Sequence, residues 1–235
     1  MFSPNLDEHY FDKIDTEAKA YFLGLLISDG CVCHSKKGRA PLVCLTLKNE
    51  DSYLLEKFVN EINSNKNVTS DGRGCSNINI SSRIMVNDLK KYGVIENKSL
   101  KTIFPKNIPL EMYNHLIRGI LDGDGSISYY TRPSKKTHIK AVRFCQGNKD
   151  FLQDLVDFLY EAVDIPKINV YQEKDSLWSV AYRKNTSVIK LIYYMYNNAN
   201  IYMKRKKKLC DLVYAEAIER GNTEITVKPK NLIAS

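Results

Sequence analysis

The chain has 235 residues and a formal net charge of +8, with 35 Lys and Arg residues against 27 Asp and Glu residues. A hydrophobic content of 43% excludes a disordered or low-complexity chain, and no apolar run approaches the length of about 18 residues that a membrane span needs. The N-terminal residues lack the basic end and apolar stretch of a signal peptide, and the positive charge favours a polyanionic partner.

The predicted elements follow the order helix, hairpin, helix, hairpin, helix, and this order occurs twice. Residues 21–30 match residues 116–125, and each stretch is predicted to be a helix that ends at a glycine. Asp15 or Thr16 is expected to cap the first of these helices, and Pro109 and Glu111 to start the second.

Periodicity predicts the other elements of each half. The first half is expected to contain strands over 31–37 and 41–48, a helix over 50–64, a hairpin over 66–82 and a helix over 83–92. The second half is expected to contain strands over 125–132 and 138–146, a helix over 149–163, a hairpin over 167–183, a helix over 186–197 and a basic helix over 204–220.

This duplication predicts an α+β fold of two pseudo-symmetric units, each with a four-stranded antiparallel sheet backed by helices. We place the units at residues 1–93 and 110–235, with a linker at 94–109. Two related halves imply a pseudo-two-fold axis.

The cysteines predict a reducing, intracellular compartment, and the sequence leaves cytoplasm and organelle open. None of the six forms a C-x-x-C pair. Cys31 and Cys33 form C-x-C, which resembles half of a metal site, but no second half with suitable spacing follows. We expect reduced thiols that act as small core residues.

Each repeated helix carries two small residues four positions apart, Gly24 with Ser28 and Gly119 with Gly123. Residues at i and i+4 share a helix face, and small side chains there allow close packing of two helices. Because glycine inside a helix costs about 0.5–1 kcal/mol relative to alanine, the pairs predict that the two helices pack on each other across the axis.

Both helices end with an acid before a glycine, at Asp29 and Asp124. An aspartate there opposes the negative end of the helix dipole, and two facing carboxylates need a cation between them or a raised pKa. Paired carboxylates suit Mg²⁺, and two such ions support in-line phosphoryl displacement. The alternative is that Asp-Gly only forms the turn into a hairpin.

The stretches 22–30 and 117–125 resemble the paired motifs of the LAGLIDADG homing endonucleases in their single-chain form, and the resemblance covers the chain from about residue 15 to residue 215. It implies αββαββα units whose sheets form a saddle over DNA, and a monomer that cleaves both strands of a long, asymmetric target. The sixth motif position, often acidic, is Asp122 in the second copy and Ile27 in the first. That position is usually structural in the family.

The resemblance also implies a catalytic centre with two or three Mg²⁺ ions, for which Mn²⁺ or Ca²⁺ can substitute. The implied metal ligands are the carboxylates of Asp29 and Asp124 and the backbone carbonyls of Ser28 and Gly123. The implied polar residues around the ions are Lys48 and Gln146 after the first hairpins and Lys98 and Lys204 after the last helices. A lysine there stabilises phosphate charge or assists the attacking water. The alternative is an ordinary surface or phosphate-contacting lysine.

Strand side chains are expected to contact the DNA, because a two-stranded ribbon fits the major groove. The candidates in the first half are His34, Lys36, Arg39, Arg73, Asn77 and Asn79. The candidates in the second half are Tyr129, Lys135, His138, Lys140, Arg143, Asn169, Tyr171, Gln172, Trp178, Tyr182 and Arg183. The turn lysines are expected to contact phosphate. The alternatives are that polar strand residues are only solvated and that Trp178 and the tyrosines belong to the core.

The sequence therefore predicts a Mg²⁺-dependent, site-specific double-strand DNA endonuclease that binds no membrane and is free-standing or intron-encoded. Two alternatives use the same fold without cleavage: a DNA- or RNA-binding maturase or regulator, and a structural RNA-binding protein that helps an intron fold. The paired acids favour the nuclease, because a pure binder has no chemical need for them.

Overall fold

A computed structural model describes residues 5–33, 40–131 and 138–221. The chain divides into two compact units, Met1–Gly123 and Asp124–Ser235. The division falls later than the expected end of the first repeat. Helix α4 (Tyr113–Asp124) begins the second repeat of the sequence, yet its residues up to Gly123 belong to the first compact unit.

The first unit contains a sheet of four antiparallel strands in the spatial order β1, β2, β4, β3. The strands are β1 (Gly30–Cys33), β2 (Leu42–Lys48), β3 (Thr69–Ser70) and β4 (Cys75–Ser81). The helices before α4 are α1 (Glu17–Ser28), α2 (Ser52–Glu61) and α3 (Arg83–Lys90). Burial alternates along β2 and β4, so one face of the sheet lies against α2 and the other faces solvent.

Helix α1 lies in the core of the first unit. Ten of its 12 residues are buried, because its sequence is apolar on every side. Thr16 caps it by accepting a hydrogen bond from the backbone N–H of Lys19, as the sequence predicted. Phe22 packs on Phe58 of α2 with the ring centroids 5.0 Å apart, which fixes α1 against the helix that covers the sheet.

The second unit has the same arrangement, with the strand order β5, β6, β8, β7. Its strands are β5 (Ser126–Thr131), β6 (His138–Gln146), β7 (Tyr171–Lys174) and β8 (Leu177–Tyr182). Its helices are α5 (Lys149–Val163), α6 (Asn185–Tyr196) and α7 (Lys204–Glu219). The buried side chains of Val142, Phe144 and Val180 lie under these helices on one face of the sheet.

The predicted fold class is confirmed: two four-stranded antiparallel sheets with helices occur in the predicted order. The differences are local. Pro109 starts a 3-10 turn over Leu110–Met112, so α4 begins only at Tyr113. A second 3-10 turn over Asn49–Asp51 delays the start of α2. Within the described segments, none of the helices combines the length and the apolar character that crossing a membrane requires.

Candidate metal centre and nucleic-acid interface

Helices α1 and α4 touch backbone to backbone at two glycines of the first unit. A Cβ atom on Gly24 would lie 2.3 Å from the carbonyl oxygen of Leu116, and one on Gly119 would lie 2.2 Å from that of Tyr21. Both distances are far inside van der Waals contact, so any side chain here would push the helices apart. The close packing predicted from the paired small residues is present.

The C-terminal ends of the same two helices also meet. A Cβ atom on Gly123 would lie 2.3 Å from the Cβ atom of Ser28 and 3.1 Å from Oδ2 of Asp29. The Ser28 hydroxyl lies 3.2 Å from the carbonyl oxygen of Ile120 and donates to it across the contact. The missing side chain at Gly123 therefore leaves room beside the Asp29 carboxylate.

Both motif aspartates are exposed at helix ends. Asp29 is the C-cap of α1, and its backbone N–H donates to the carbonyl oxygen of Leu25 at 2.8 Å. Asp124 is the last residue of α4 and follows Gly123 in the chain. Carboxylate oxygens are hard donors, and each helix end adds partial negative charge. The space that Gly123 leaves open lies beside the Asp29 carboxylate, whose oxygens are of the type that suits a divalent ion.

Lys98 reaches the same end of α1. Its ammonium group donates to the carbonyl oxygens of Ile27 at 2.6 Å and Ser28 at 2.7 Å, and the residue is 9% exposed. These carbonyls lie in the last turn of α1, where no further turn of helix follows to bond them. The predicted lysine thus lies beside the motif, and the Ser28 carbonyl, a predicted metal ligand, already accepts one hydrogen bond.

In the second unit, Lys206 reaches the residue that follows the motif aspartate. Lys206 is 4% exposed, and its ammonium group donates to the carbonyl oxygen of Gly125 at 2.8 Å. Lys204 is the exposed first residue of α7. Residues two apart on a helix point about 200° apart, so these two lysines face opposite ways. Lys206 is therefore a further candidate, and the role predicted for Lys204 stays a prediction.

The strand register shows that Lys48 and Gln146 do not occupy equivalent positions in the two hairpins, contrary to the prediction. Lys48 is the exposed last residue of β2. Counted along each hairpin from the motif glycine, Gln146 occupies the position of the core residue Leu47. Gln146 is 6% exposed, and its side-chain oxygen accepts from the backbone N–H of Gly147 at 2.7 Å. It faces the helices and not the solvent side of the sheet.

A buried polar network at the α1–α4 contact was not predicted. Tyr21 donates to the carboxylate of Asp122 at 2.8 Å, and both side chains are fully buried. Arg118 is also fully buried, lies 5.4 Å from the Tyr21 ring centroid and donates to Glu17 at 2.7 Å. The sixth motif position therefore has a structural role here. The sequence signal was the single arginine in an otherwise apolar stretch.

The solvent face of the first sheet carries the predicted asparagines. Asn77 and Asn79 lie on this face of β4, and Thr69 of β3 donates to the Asn77 side chain at 3.0 Å. Arg73 is exposed in the turn between β3 and β4. Three further candidates lie outside the described residues: His34, Lys36 and Arg39.

Three candidates of the second sheet lie on its helix-covered side, contrary to the prediction. Tyr129 pairs with Lys140, and both share the face of the core residue Val142. Lys140 and His138 contact the Glu216 carboxylate of α7 at 3.0 and 3.1 Å. Burial raises the pKa of Glu216, but hydrogen bonds from Lys140 and Tyr129 outweigh burial and hold that pKa below its usual value. These side chains bind the sheet to α7, so we correct their assignment to DNA contact.

Two further candidates also lie on the helix-covered side of the second sheet. Tyr182 is 2% exposed and lies in the core, as its alternative interpretation proposed. Trp178 is half-buried, and the ammonium group of Lys149 on α5 lies 5.3 Å from its ring centroid. The assignment of Tyr182 and Trp178 to base contact is therefore corrected.

The solvent face of the second sheet carries Arg143 and Tyr171. Arg143 forms an ion pair with Glu173 at 2.9 Å, and Tyr171 is 62% exposed. The sequence analysis missed Tyr130, which is 50% exposed on the same face. Of the remaining candidates, Gln172 is exposed within β7, opposite Trp178, and Asn169 and Arg183 are exposed beside β7 and β8. Lys135 lies outside the described residues.

Known structures share this fold. The LAGLIDADG homing endonuclease I-GzeII in complex with a DNA target aligns with 86% of this chain and 91% of its own, with a TM-score of 0.63 and 17% identity. The meganuclease I-AabMI bound to uncleaved DNA aligns with 88% of this chain and 92% of its own, with a TM-score of 0.62 and 15% identity. The chain has the LAGLIDADG fold.

A further LAGLIDADG structure was determined with calcium ions present. I-SmaMI bound to an uncleaved DNA target in the presence of calcium ions aligns with 86% of this chain and 92% of its own, with a TM-score of 0.60 and 12% identity. No protein-family model and no curated protein matches the sequence. At these identities the likeness establishes the LAGLIDADG fold and not the activity.

Proposed function

We propose that this protein is a site-specific DNA endonuclease that hydrolyses one phosphodiester bond in each strand of a double-stranded target. One observation carries the proposal: exposed aspartates end two helices whose C-terminal ends meet at Ser28 and Gly123. Solved proteins of the same fold are homing endonucleases bound to DNA, which supports the substrate class.

In this proposal Asp29 and Asp124 hold two or three Mg²⁺ ions, and the backbone carbonyls of Ser28 and Gly123 complete the ligand set. A carbonyl oxygen has two lone pairs, so the hydrogen bond from Lys98 leaves the Ser28 oxygen one free position. Bound divalent ions would stabilise charge on the attacking and leaving oxygens of an in-line displacement. The calcium ions in the I-SmaMI complex support the use of a divalent metal.

The two buried lysines supply fixed positive charge next to the aspartates. Lys98 is held by two carbonyl oxygens of α1, and Lys206 by that of Gly125. An ammonium group held in place needs no reorganisation when negative charge develops on the phosphate. We assign both lysines this role.

The solvent faces of the two sheets are the surfaces proposed to contact DNA. The first presents Asn77 and Asn79, and the second presents Arg143, Tyr130 and Tyr171. Asn pairs with adenine and Arg with guanine in the major groove, so the two faces prefer different sequences. A single chain that carries both aspartates and two unlike faces suits a monomer with a long, asymmetric target.

The test is selection of cleaved molecules from a randomised double-stranded DNA library in Mg²⁺, followed by cleavage of the selected target in a plasmid. We expect linear product from the wild type. Asp29→Asn and Asp124→Asn should each abolish cleavage and leave the affinity for the selected target within a few-fold of the wild type. The matched control is Asp150→Asn, which removes one exposed carboxylate from the first turn of α5.

The other outcomes identify the alternatives. Cleavage by both motif variants would refute the assignment of the aspartates. A wild type that binds DNA tightly and never cuts in Mg²⁺ or Mn²⁺ is a binding protein of the same fold. Salt-sensitive affinity for RNA that needs no divalent ion indicates a protein that helps RNA fold.

A further inference from the structure

Three cysteine thiols converge on the solvent face of the first sheet. Cys31 and Cys33 lie on β1, and Cys44 lies on β2 directly opposite Cys31. The Cys33 sulfur lies 3.5 Å from that of Cys31 and 4.0 Å from that of Cys44, and all three sulfurs lie within 4.8 Å of one another. Within the described segments, no other trio of His, Cys, Asp or Glu side chains brings its ligand atoms this close.

The thiols are not the core residues that the sequence predicted. Cys31 and Cys33 are exposed and Cys44 is half-buried, whereas the intervening Val32 is 4% exposed and Val43 is 1% exposed. Buried valines on the opposite face hold the hairpin in register, so the thiol positions are set by the backbone. Packing therefore does not explain why cysteine occupies all three positions.

The sulfur separations match a metal site without movement of the backbone. A tetrahedral ion with metal–sulfur bonds of about 2.3 Å holds its sulfur ligands about 3.8 Å apart. Thiolates are soft ligands that select ions such as Zn²⁺ over Mg²⁺. The missing second half of the C-x-C motif is Cys44, which the strand pairing brings opposite Cys31.

We propose that Cys31, Cys33 and Cys44 form a three-thiolate site for a thiophilic divalent ion of the Zn²⁺ class, with one coordination position open to solvent. On binding, three sulfur–hydrogen bonds break, three sulfur–metal bonds form, and up to three protons pass to the buffer. No electron is transferred. The site is independent of the proposed cleavage and uses ligands of the opposite chemical preference to Asp29 and Asp124.

The test is titration of the full-length, reduced, metal-free protein with Co²⁺, which absorbs visible light in a tetrahedral thiolate site, followed by displacement with Zn²⁺. We expect the thiolate absorbance to saturate at one thiolate-bound ion per chain, and three thiols to be protected from alkylation in Zn²⁺, measured by intact mass. Cys31→Ser, Cys33→Ser and Cys44→Ser should each weaken Zn²⁺ binding by more than about 100-fold, because loss of an outer-shell partner alone costs about 10–100-fold.

Two controls make the result specific. Cys75 lies on the same sheet at the other end of the β2–β4 pair, opposite Lys48, so Cys75→Ser should leave the thiolate absorbance unchanged. Asp29→Asn should also leave it unchanged, which separates this site from the proposed catalytic centre. Circular dichroism and thermal unfolding confirm that each serine variant is folded.

Three results would overturn the proposal. The first is the absence of a thiolate absorbance band in the wild type. The second is a band that persists when all three cysteines are replaced. The third is loss of two hydrogens from the reduced protein in Zn²⁺, which shows that a disulfide forms in place of the metal site.

Discussion

Lys98 holds the C-terminal end of α1 through hydrogen bonds to the last two carbonyl groups of the helix. A buried ammonium group is costly unless it is hydrogen-bonded, and here two carbonyl oxygens at the negative end of α1 accept from it. Hydrogen bonds of this kind, with a charged donor, are stronger than neutral ones. The same lysine therefore has a structural role in the free protein and a proposed electrostatic role during cleavage.

Replacing Lys98 with methionine tests the structural role. The Lys98→Met side chain has a similar length and lacks the ammonium group, so two buried carbonyls lose their donor. We expect the free energy of unfolding to fall by about 1–3 kcal/mol, measured by denaturant titration. Lys208→Met changes an exposed lysine of α7 and should stay within about 0.5 kcal/mol of the wild type. Equal stability of both variants would contradict the assigned contact.

At the residue scale, the sequence could not supply the direction in which individual side chains point from their strand or helix. A strand alternates its side chains, so a choice between Tyr129 and Tyr130 depends on which of them shares the face of Val142. In the run from Lys204 to Lys208, the inward lysine depends on the rotation of α7. Neither quantity is encoded locally, because both are set by packing against the rest of the unit.

At the scale of elements, the sequence was sufficient to predict most of the structure. The predicted strand 138–146 and helix 149–163 match the observed bounds, since alternation and helical spacing were long and uninterrupted there. The predicted bounds of an element were less accurate where its alternation of polar and apolar residues was short. Strand β3 has only two residues, within a predicted hairpin that began at residue 66.

The α1–α4 contact yields a second prediction. Gly119→Ala gains about 0.8–1 kcal/mol of helix propensity, but its Cβ atom would lie 2.2 Å from the carbonyl oxygen of Tyr21. Overpacking against rigid backbone costs about 1–3 kcal/mol or more, so we expect net destabilisation in denaturant titration. The control is Asn87→Ala at an exposed position of α3, which should be neutral or slightly stabilising. A stabilised Gly119→Ala variant would refute the contact.

The same helix pair predicts a dependence of stability on pH. Burial, and then the nearby Arg118 guanidinium, lower the pKa of His115 to about 4, although Glu17 opposes the shift. The unfolded chain therefore binds a proton at higher pH than the folded protein does. Stability contributed by neutral His115 is complete above about pH 6.5 and is lost progressively as the pH falls towards 4.

Denaturant titrations from about pH 7 to pH 4 measure this effect. His115→Gln cannot take up the proton, so its free energy of unfolding should fall less over this range than that of the wild type. His9→Gln is the matched control for the substitution itself, because the His9 side chain is 71% exposed. Parallel curves for His115→Gln and the wild type would exclude His115 as the source.

At the scale of the whole molecule, the net charge of the chain and the charge of the two motif aspartates have opposite signs. The chain carries an excess of eight positive charges, yet the residues proposed to act on phosphate include two exposed aspartates. Without bound cations, the aspartate carboxylates would repel the negatively charged phosphate backbone of DNA. We infer that the general positive charge provides affinity and that the aspartates act only through bound cations.

This division of roles predicts how binding responds to salt. Each phosphate neutralised by a lysine or arginine releases condensed counterions, so affinity should fall on the order of 10³-fold or more when salt rises from about 50 to about 200 mM. The measurement is a titration of the selected target with Asp29→Asn, which keeps the DNA intact. Adding Ca²⁺, in whose presence the I-SmaMI complex holds an uncleaved target, should strengthen binding by the wild type relative to this variant at constant ionic strength. An affinity that does not change with salt would show that the positive charge is not directed at DNA.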